Sequence, residues 1–366
     1  MIPKRAPFSP VMTEACLRAA FAGWTPSAVA RWVGEALSPS LRRRAEIGCA
    51  KGRRAGEVLL ILPSTVFAAA WQSATAVWLA GKVPVFRPSR REPTFARLLA
   101  ASAKAVGGRD LPSRVLRPGA SLRQERKPDA VVAYGGDVTL QTLRRSLGHR
   151  TPLIAFGPQA GAAWVSQRIL TPVRARETAR RLAREIALYD TRGCLSPSCV
   201  FVDLGGAVSP SRFAARLGVE LDLLDRTLPA GAADALDRES FDQQWRFRAS
   251  AGRARWFGRH VILHREKDCA PSGLRRTVFV RPVRDAAEAA RLLARWPVRL
   301  AALGVGDAAD APRARKAFRR FRRLWITDIG GMHEPPPSWR NGGVNLLAKL
   351  VGGGNSFAVR RAVRSS

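Results

Sequence analysis

The residues most able to do chemistry lie in one run, Asp190-Thr-Arg-Gly-Cys-Leu-Ser-Pro-Ser-Cys-Val-Phe-Val-Asp203. Cys194 stands there in a loop bounded by glycine and proline. A loop gives a thiol access, and packed elements on either side fix its position, which is what nucleophilic catalysis asks of a cysteine. Arg192, two residues earlier, would favour the thiolate. The alternative is a structural cysteine that happens to lie in a loop. Cys199 opens an apolar run instead, where a thiol behaves as a small buried hydrophobe.

Two elements must position Cys194. Val173, Ala179, Leu182, Ala183 and Ile186 recur at helical spacing and predict a helix over Val173 to Tyr189. Cys199-Val-Phe-Val202 predicts a buried strand after the loop. Further upstream, Val58 to Gly81 contains no charged residue and is long enough to weigh as a membrane span. Pro63-Ser64-Thr65 interrupts it, so a strand, a turn, a helix from Phe67 to Leu79 and a strand from Val83 to Phe86 read better. That βαβ unit implies a parallel sheet with ligand loops at its strand ends. A strand at Ala130 to Tyr134 runs into Gly135-Gly136-Asp137 and a helix, where glycine lets backbone amides approach a phosphate. Leu153 to Gly157 adds another strand. Beyond Asp203 come a strand at Arg276 to Arg281, a helix at Asp285 to Arg295 and a strand at Val298 to Leu303, with residues 225–255 read as connections. The Pro- and Gly-rich stretch from Asp328 to Leu347 excludes a regular element.

With 366 residues the chain can build two full cores, and its five cysteines and four histidines form neither a disulfide framework nor a metal pattern. No metal is expected. Reduced thiols, and a positive N-terminus without an unbroken apolar core behind it, point to the cytoplasm. The net charge of +34 suggests polyanions. The arginines are scattered along the whole chain, however, so no specific nucleic acid is expected. The densest patch, Lys316 to Trp325, places Phe318, Phe321 and Trp325 at helical spacing, as a surface helix with one buried side would.

The order of these pieces resembles the aldehyde dehydrogenase superfamily, and within it the acyl-CoA reductases that supply fatty aldehyde to bacterial luciferase. Gly193-Cys-Leu-Ser-Pro197 looks like the nucleophile loop, Val85-Phe-Arg-Pro-Ser89 like the Lys-Pro-Ser cofactor strand, and Ala133-Tyr-Gly-Gly-Asp137 like the pyrophosphate turn. Gly331-Met-His-Glu-Pro-Pro336 with Trp339 looks like the C-terminal signature. The resemblance spans about residues 55 to 350.

It implies an α/β, aldehyde-dehydrogenase-like fold. A Rossmann-like cofactor domain would occupy residues 1–190 with a return segment at 336–366, and a smaller α/β catalytic domain 191–335. It implies NADPH-dependent reduction of an acyl thioester to an aldehyde through an acyl-enzyme on Cys194, with acyl-CoA or acyl carrier protein as donor. Thr65 takes the place of the oxyanion donor, Arg87 that of the cofactor lysine, and Ser89, Gly135 and Gly136 line the cofactor site. Arg90, with Arg91, offers cations for a ribose 2′-phosphate, and no carboxylate precedes Glu92 to claim a free hydroxyl. Ala155 stands where hydrolytic members carry a glutamate base. No membrane span is expected, and the chain is compatible with a homo-oligomer. The alternative functions are a catalytically weakened member kept as a binding or scaffold subunit and, less favoured, a basic nucleic-acid-binding protein.

Overall fold

The computed structural model describes residues 8–43, 56–108, 110–120, 127–147, 151–231, 235–264, 271 and 276–352. The chain forms two units, one of residues 1–24 with 158–343, the other of 25–157 with 344–366. The division thus falls after Gly157, not after residue 190, and the return begins at Val344, not at 336. The shift has a plain cause. A strand at Gln159–Val165, which the sequence reading lacks, belongs to the sheet that carries Cys194, and the helix Pro172–Ala187 packs on that sheet's face. Of the expected return segment, 353–366 lies outside the described residues.

The second unit holds a five-stranded sheet of β1 (Glu57–Ile61), β2 (Val83–Arg87), β3 (Arg114–Val115), β4 (Ala130–Tyr134) and β5 (Leu153–Phe156). All neighbours are parallel in the order β3-β2-β1-β4-β5. Strands covered on both faces need near-continuous apolar runs, and Val58 to Ile61 and Ala130 to Ala133 are buried throughout. Helices Ala69–Leu79, Thr94–Gly107 and Asp137–Leu147 make the crossovers. The order reverses between β1 and β4, and at such a switch point a crevice opens at the strands' carboxyl ends. Asn345 starts the returning helix Leu346–Val351 by accepting from the Ala348 amide, and ties it down by donating to the Ala36 carbonyl at 3.0 Å. Among the described residues no helix is long and apolar enough to cross a membrane, and Val58 to Gly81 is the strand, turn and helix that Pro63 implied.

The first unit holds a seven-stranded sheet of β6 (Gln159–Val165), β7 (Pro197–Asp203), β8 (Ala254–Phe257), β9 (Val261–His264), β10 (Val278–Val283), β11 (Arg299–Val305) and β12 (Trp325–Asp328). The order is β12-β11-β6-β7-β10-β9-β8, parallel except for the antiparallel β8–β9 pair. Helices Pro172–Ala187 and Pro210–Thr227 cover one face. Helices Ala286–Leu293 and Ala311–Ala317, with Phe241 and Trp245 of the helix Ala235–Ser250, cover the other. Two expectations need correction. Residues 225–255 are mostly that helix, whose polar face hid its period. The patch Lys316 to Trp325 is not one helix: it turns after Ala317, buries Phe318 and opens β12 at Trp325.

Candidate active site

Cys194 is delivered by an unusual stretch of backbone. After the helix Pro172–Ala187, three successive residues adopt left-handed conformations, Tyr189 (φ 56°), Asp190 (φ 50°) and Thr191 (φ 62°). None is glycine, so each costs roughly 1 kcal/mol or more and persists only where its surroundings hold it. Arg276 supplies the hold. Its amide donates to the Asp190 carbonyl at 3.1 Å, and its Nε and Nη2 donate to Asp190 Oδ1 at 3.1 and 2.8 Å. Asp190 Oδ2 accepts from the Gly231 amide at 2.9 Å. Nη1 of Arg276 donates to Asp225 Oδ1 and the Leu228 carbonyl, and Asp225 also meets His260 Nε2 at 2.7 Å. Asp222, Asp225 and His260 are the potential metal ligands that come together among the described residues. Arg259 and Arg276 already pair with their carboxylates.

The turn brings Cys194 to the amino end of β7, on the sheet edge where β6, β11 and β12 also begin. Half-buried Cys194 packs in an apolar cluster with Leu195, Ala301, Ala302, Met332, Trp325 and Trp339. Two glycines make room. A Cβ on Gly161 of β6 would fall 2.4 Å from the Leu195 carbonyl and 2.7 Å from that of Ser196, so only glycine lets the loop lie on the strand. A Cβ on Gly193 would fall 2.8 Å from Ser196 Oγ and 3.3 Å from His333 Cε1.

A buried polar group underlies the loop. His333 Nε2 lies 3.0 Å from the Glu185 carbonyl, which only accepts, so this nitrogen carries the hydrogen; Ser196 Oγ is 3.3 Å away. The Met332 amide donates to Glu185 Oε1 at 2.7 Å. Glu185 Oε2 has no hydrogen-bond partner and lies 3.6 Å from His333 Nε2. The Tyr189 and His333 rings are 5.3 Å apart. Burial sets the charges here. It pushes the Glu185 carboxyl up to about 7 and the His333 imidazole down to about 4, so below neutrality this is an acid beside a neutral ring, not an ion pair. Burial also pushes the Cys194 thiol up to about 11, against a smaller pull from the loop's own Cys194 amide. The expectation that Arg192 would stabilise a thiolate is thereby corrected: desolvation wins in the resting site.

The other expected site residues belong to the second unit and gather at the carboxyl ends of its strands. Thr65 is half-buried in the bend after β1. Arg87 ends β2, its Nε donating to the Ala120 carbonyl at 3.1 Å, and Ser89 Oγ accepts from the Arg91 amide at 3.2 Å. The guanidinium of Arg90 lies against Gly119, close enough to Arg87 that burial first, and Arg90 second, hold Arg87 below its ordinary value. Glu92 accepts from the Thr94 and Phe95 amides and so caps a helix. Gly135 and Gly136 follow β4 at the start of the helix Asp137–Leu147. A Cβ on Gly136 would meet nothing within 4 Å, leaving an open cradle at a helix N-terminus. A helix N-terminus opened by glycine suits the diphosphate of a dinucleotide. Ala155, in β5, packs against the apolar cluster of Leu59, Val131 and Leu140.

Sequence reasoning missed Glu185, Ser196, Gly161, Asp190 as an anchor and Arg276. Glu185 reads as one more charge on a basic helix and Arg276 as one arginine among many. Their burial depends on partners 147 and 86 residues away in the chain. His333 was visible only as part of a motif.

A family model described as acyl-CoA reductase (LuxC) matches residues 37–352. Solved structures with a similar fold include the aldehyde dehydrogenase KauB from Pseudomonas aeruginosa, at TM-score 0.58 and 16% identity, covering 75% of this chain and 61% of that one. An NAD-dependent aldehyde dehydrogenase from Sinorhizobium meliloti has TM-score 0.57 and 18% identity, covering 87% of this chain and 71% of that one. The P. syringae indole-3-acetaldehyde dehydrogenase AldA, solved as a mutant in complex with NAD+ and IAA, has TM-score 0.59 and 15% identity over 88% and 85% of the two chains. The chain therefore spans about three fifths of the length of the Pseudomonas enzyme. No curated protein sequence matches it.

Proposed function

The chain belongs to the acyl-CoA reductase (LuxC) family, and we propose that it reduces an acyl thioester to an aldehyde through an acyl-enzyme on Cys194, with NADPH as reductant. The observation that carries this is the build of the thiol loop: a left-handed run clamped by Arg276 and a glycine floor at Gly161 fix Cys194 at an apolar wall of Trp325, Trp339 and Met332. Such a wall suits an acyl chain.

Cys194 Sγ bonds to the acyl carbon as the carbon–sulfur bond to the donor thiol breaks, and that thiol leaves with a proton. NADPH, which Gly135, Gly136, Arg90 and Arg91 would hold, would supply the hydride for the acyl carbon. Cys194 then departs as thiolate and the aldehyde is released. Because the resting thiol sits at about 11, only about one part in ten thousand is thiolate at pH 7, so thiol ionisation weighs heavily on the acylation barrier. His333 is too weak a base to take that proton, since burial holds it neutral near 4 against the smaller opposing effect of its hydrogen bond to the Glu185 carbonyl. Its part is to hold the loop through Ser196 and the Glu185 carbonyl. Ala155 offers no base to water, in keeping with an acyl-enzyme that waits for reductant.

For the cofactor, Gly135 and Gly136 take the diphosphate, Arg90 with Arg91 the 2′-phosphate, and Arg87 and Ser89 line the same strand ends, while Thr65 keeps the oxyanion donor's place. Glu92, spent as a helix cap, leaves the arginines unopposed. The protein acts in the cytoplasm as the oxidoreductase, on acyl-CoA or an acyl carrier protein. NADPH and NADH dissociation constants at one fixed salt concentration, with aldehyde release from acyl-CoA, test the reading. NADPH should bind at least about tenfold more tightly, and Arg90→Ala should remove most of that margin. Equal affinities in the wild type would contradict the assignment of Arg90.

A further inference from the structure

Within the seven-stranded sheet, between β7 and β9, a buried cation has no counter-charge among the described residues. Arg281 in β10 is 5% exposed, its Nε and Nη1 are shut off from solvent with no hydrogen-bond partner, and none of the ion pairs among the described residues involves it. His264, at the end of β9, is 2% exposed, and neither of its ring nitrogens has a partner.

The strand register puts these two side by side. Phe279 pairs with Ile262 and Val280 with Leu263, so the next step of the same parallel ladder sets Arg281 against His264, one strand spacing of about 4.8 Å away. They share a face as well. Phe279 and Val283, which flank Arg281 in the alternation, belong with Phe201 and Trp245 to the core on one side of the sheet, whereas Val278 and Val280 point to the other. His264 reaches the same side, its ring 5.1 Å from those of Trp245 and Phe279, which are themselves 4.7 Å apart. Two donor-bearing side chains thus lie beside an aromatic frame, and among the described residues no acceptor meets Arg281 Nε or Nη1 or either ring nitrogen of His264. A permanently charged guanidinium is kept in such a place only at high cost unless an anion joins it.

We propose that Arg281 and His264 form the floor of a binding site for a small oxyanion, a carboxylate or a phosphate, with Trp245 and Phe279 as its walls. The site stands apart from the thiol loop. Cys194 precedes the amino end of β7, whereas Arg281 pairs with Phe201 toward the carboxyl end of that strand. It is therefore independent of the reductase reading.

Thermal melts of the full chain test it, with sodium chloride replaced stepwise by sodium phosphate or by sodium acetate at constant ionic strength. One or both anions should raise the melting temperature saturably above chloride, and the anion that does so names the ligand class. The increment should vanish in Arg281→Met, which is apolar and of similar length. It should survive in Arg90→Ala, which removes a cation of the nucleotide site instead. Arg281→Lys, which keeps the charge and tests the site should the methionine variant fail to fold, should weaken anion binding by about tenfold or more through loss of the fork. No saturable increment with either anion, or an undiminished one in Arg281→Met, would overturn the proposal.

Discussion

Arg276 and Asp190 hold one another by main chain and side chain at once, and both take left-handed backbone conformations, φ 54° and φ 50°. Both are fully buried, and Asp190 lies four residues before Cys194. Removing one partner strands a charge in the core, which typically costs about 3–5 kcal/mol. Arg276→Met and Asp190→Asn should each lower stability on that scale, and their double variant should cost much less than the sum. A denaturant-based double-mutant cycle measures the coupling; additive losses would mean that the pair acts separately. Where the single variants still fold, acylation of Cys194 should slow more than thiol accessibility changes, because the strained run that aims it relaxes.

The resting reactivity of Cys194 follows from its burial. With the thiol near 11, the thiolate fraction rises about tenfold per pH unit across the accessible range. Iodoacetamide labelling, read by mass at Cys194, should therefore climb from pH 7 to 10 without a plateau. A plateau below pH 9 would show that Arg192, or another cation, stabilises the thiolate after all.

Glu185 and His333 oppose one another in the pH dependence of stability. The Glu185 value is raised from 4.5 to about 7, so its contribution is full below 4.5 and lost as pH rises through 7. The His333 value is lowered from 6.5 to about 4, so its contribution is full above 6.5 and lost as pH falls through 4. Between 4.5 and 6.5 the folded protein keeps one proton on Glu185 and the unfolded chain one on His333, and the two slopes cancel. Glu185→Gln, which retains the acceptor for the Met332 amide, should unmask the histidine: unfolding free energy should then fall with acid by up to about 1.4 kcal/mol per pH unit in that window. His333→Gln should give the opposite slope. Parallel pH curves for all three proteins would refute the assignment.

The parts of this molecule legible in its sequence are those whose signal is local. Val58 to Ile61 and Ala130 to Ala133 betray parallel strands because both their faces are covered, and Gly135-Gly136 marks a turn because chain geometry there is short-range. Cys194 was found from its glycine and proline neighbours. What stayed hidden depends on distant partners. Gln159–Val165 contains Ala160, Gly161, Ala162 and Ala163, small residues without strand character, and becomes a strand because the thiol loop needs a flat, narrow floor. Among the described side chains of the helix Ala235–Ser250, Trp245 is buried and Phe241 partly buried, and the polar residues between them in the sequence blur the period. Arg276 could not be told from the other cations until Asp190 and Asp225 closed around it.

The central claim is that Cys194 carries the acyl group. Intact-mass analysis of the full chain after incubation with an acyl-CoA, without reduced cofactor, tests it most directly. The wild type and Cys199→Ala should gain the mass of one acyl group and Cys194→Ala none, and NADPH should clear the adduct as aldehyde. An adduct that persists in Cys194→Ala, or aldehyde formed by that variant at the wild-type rate, would contradict the account.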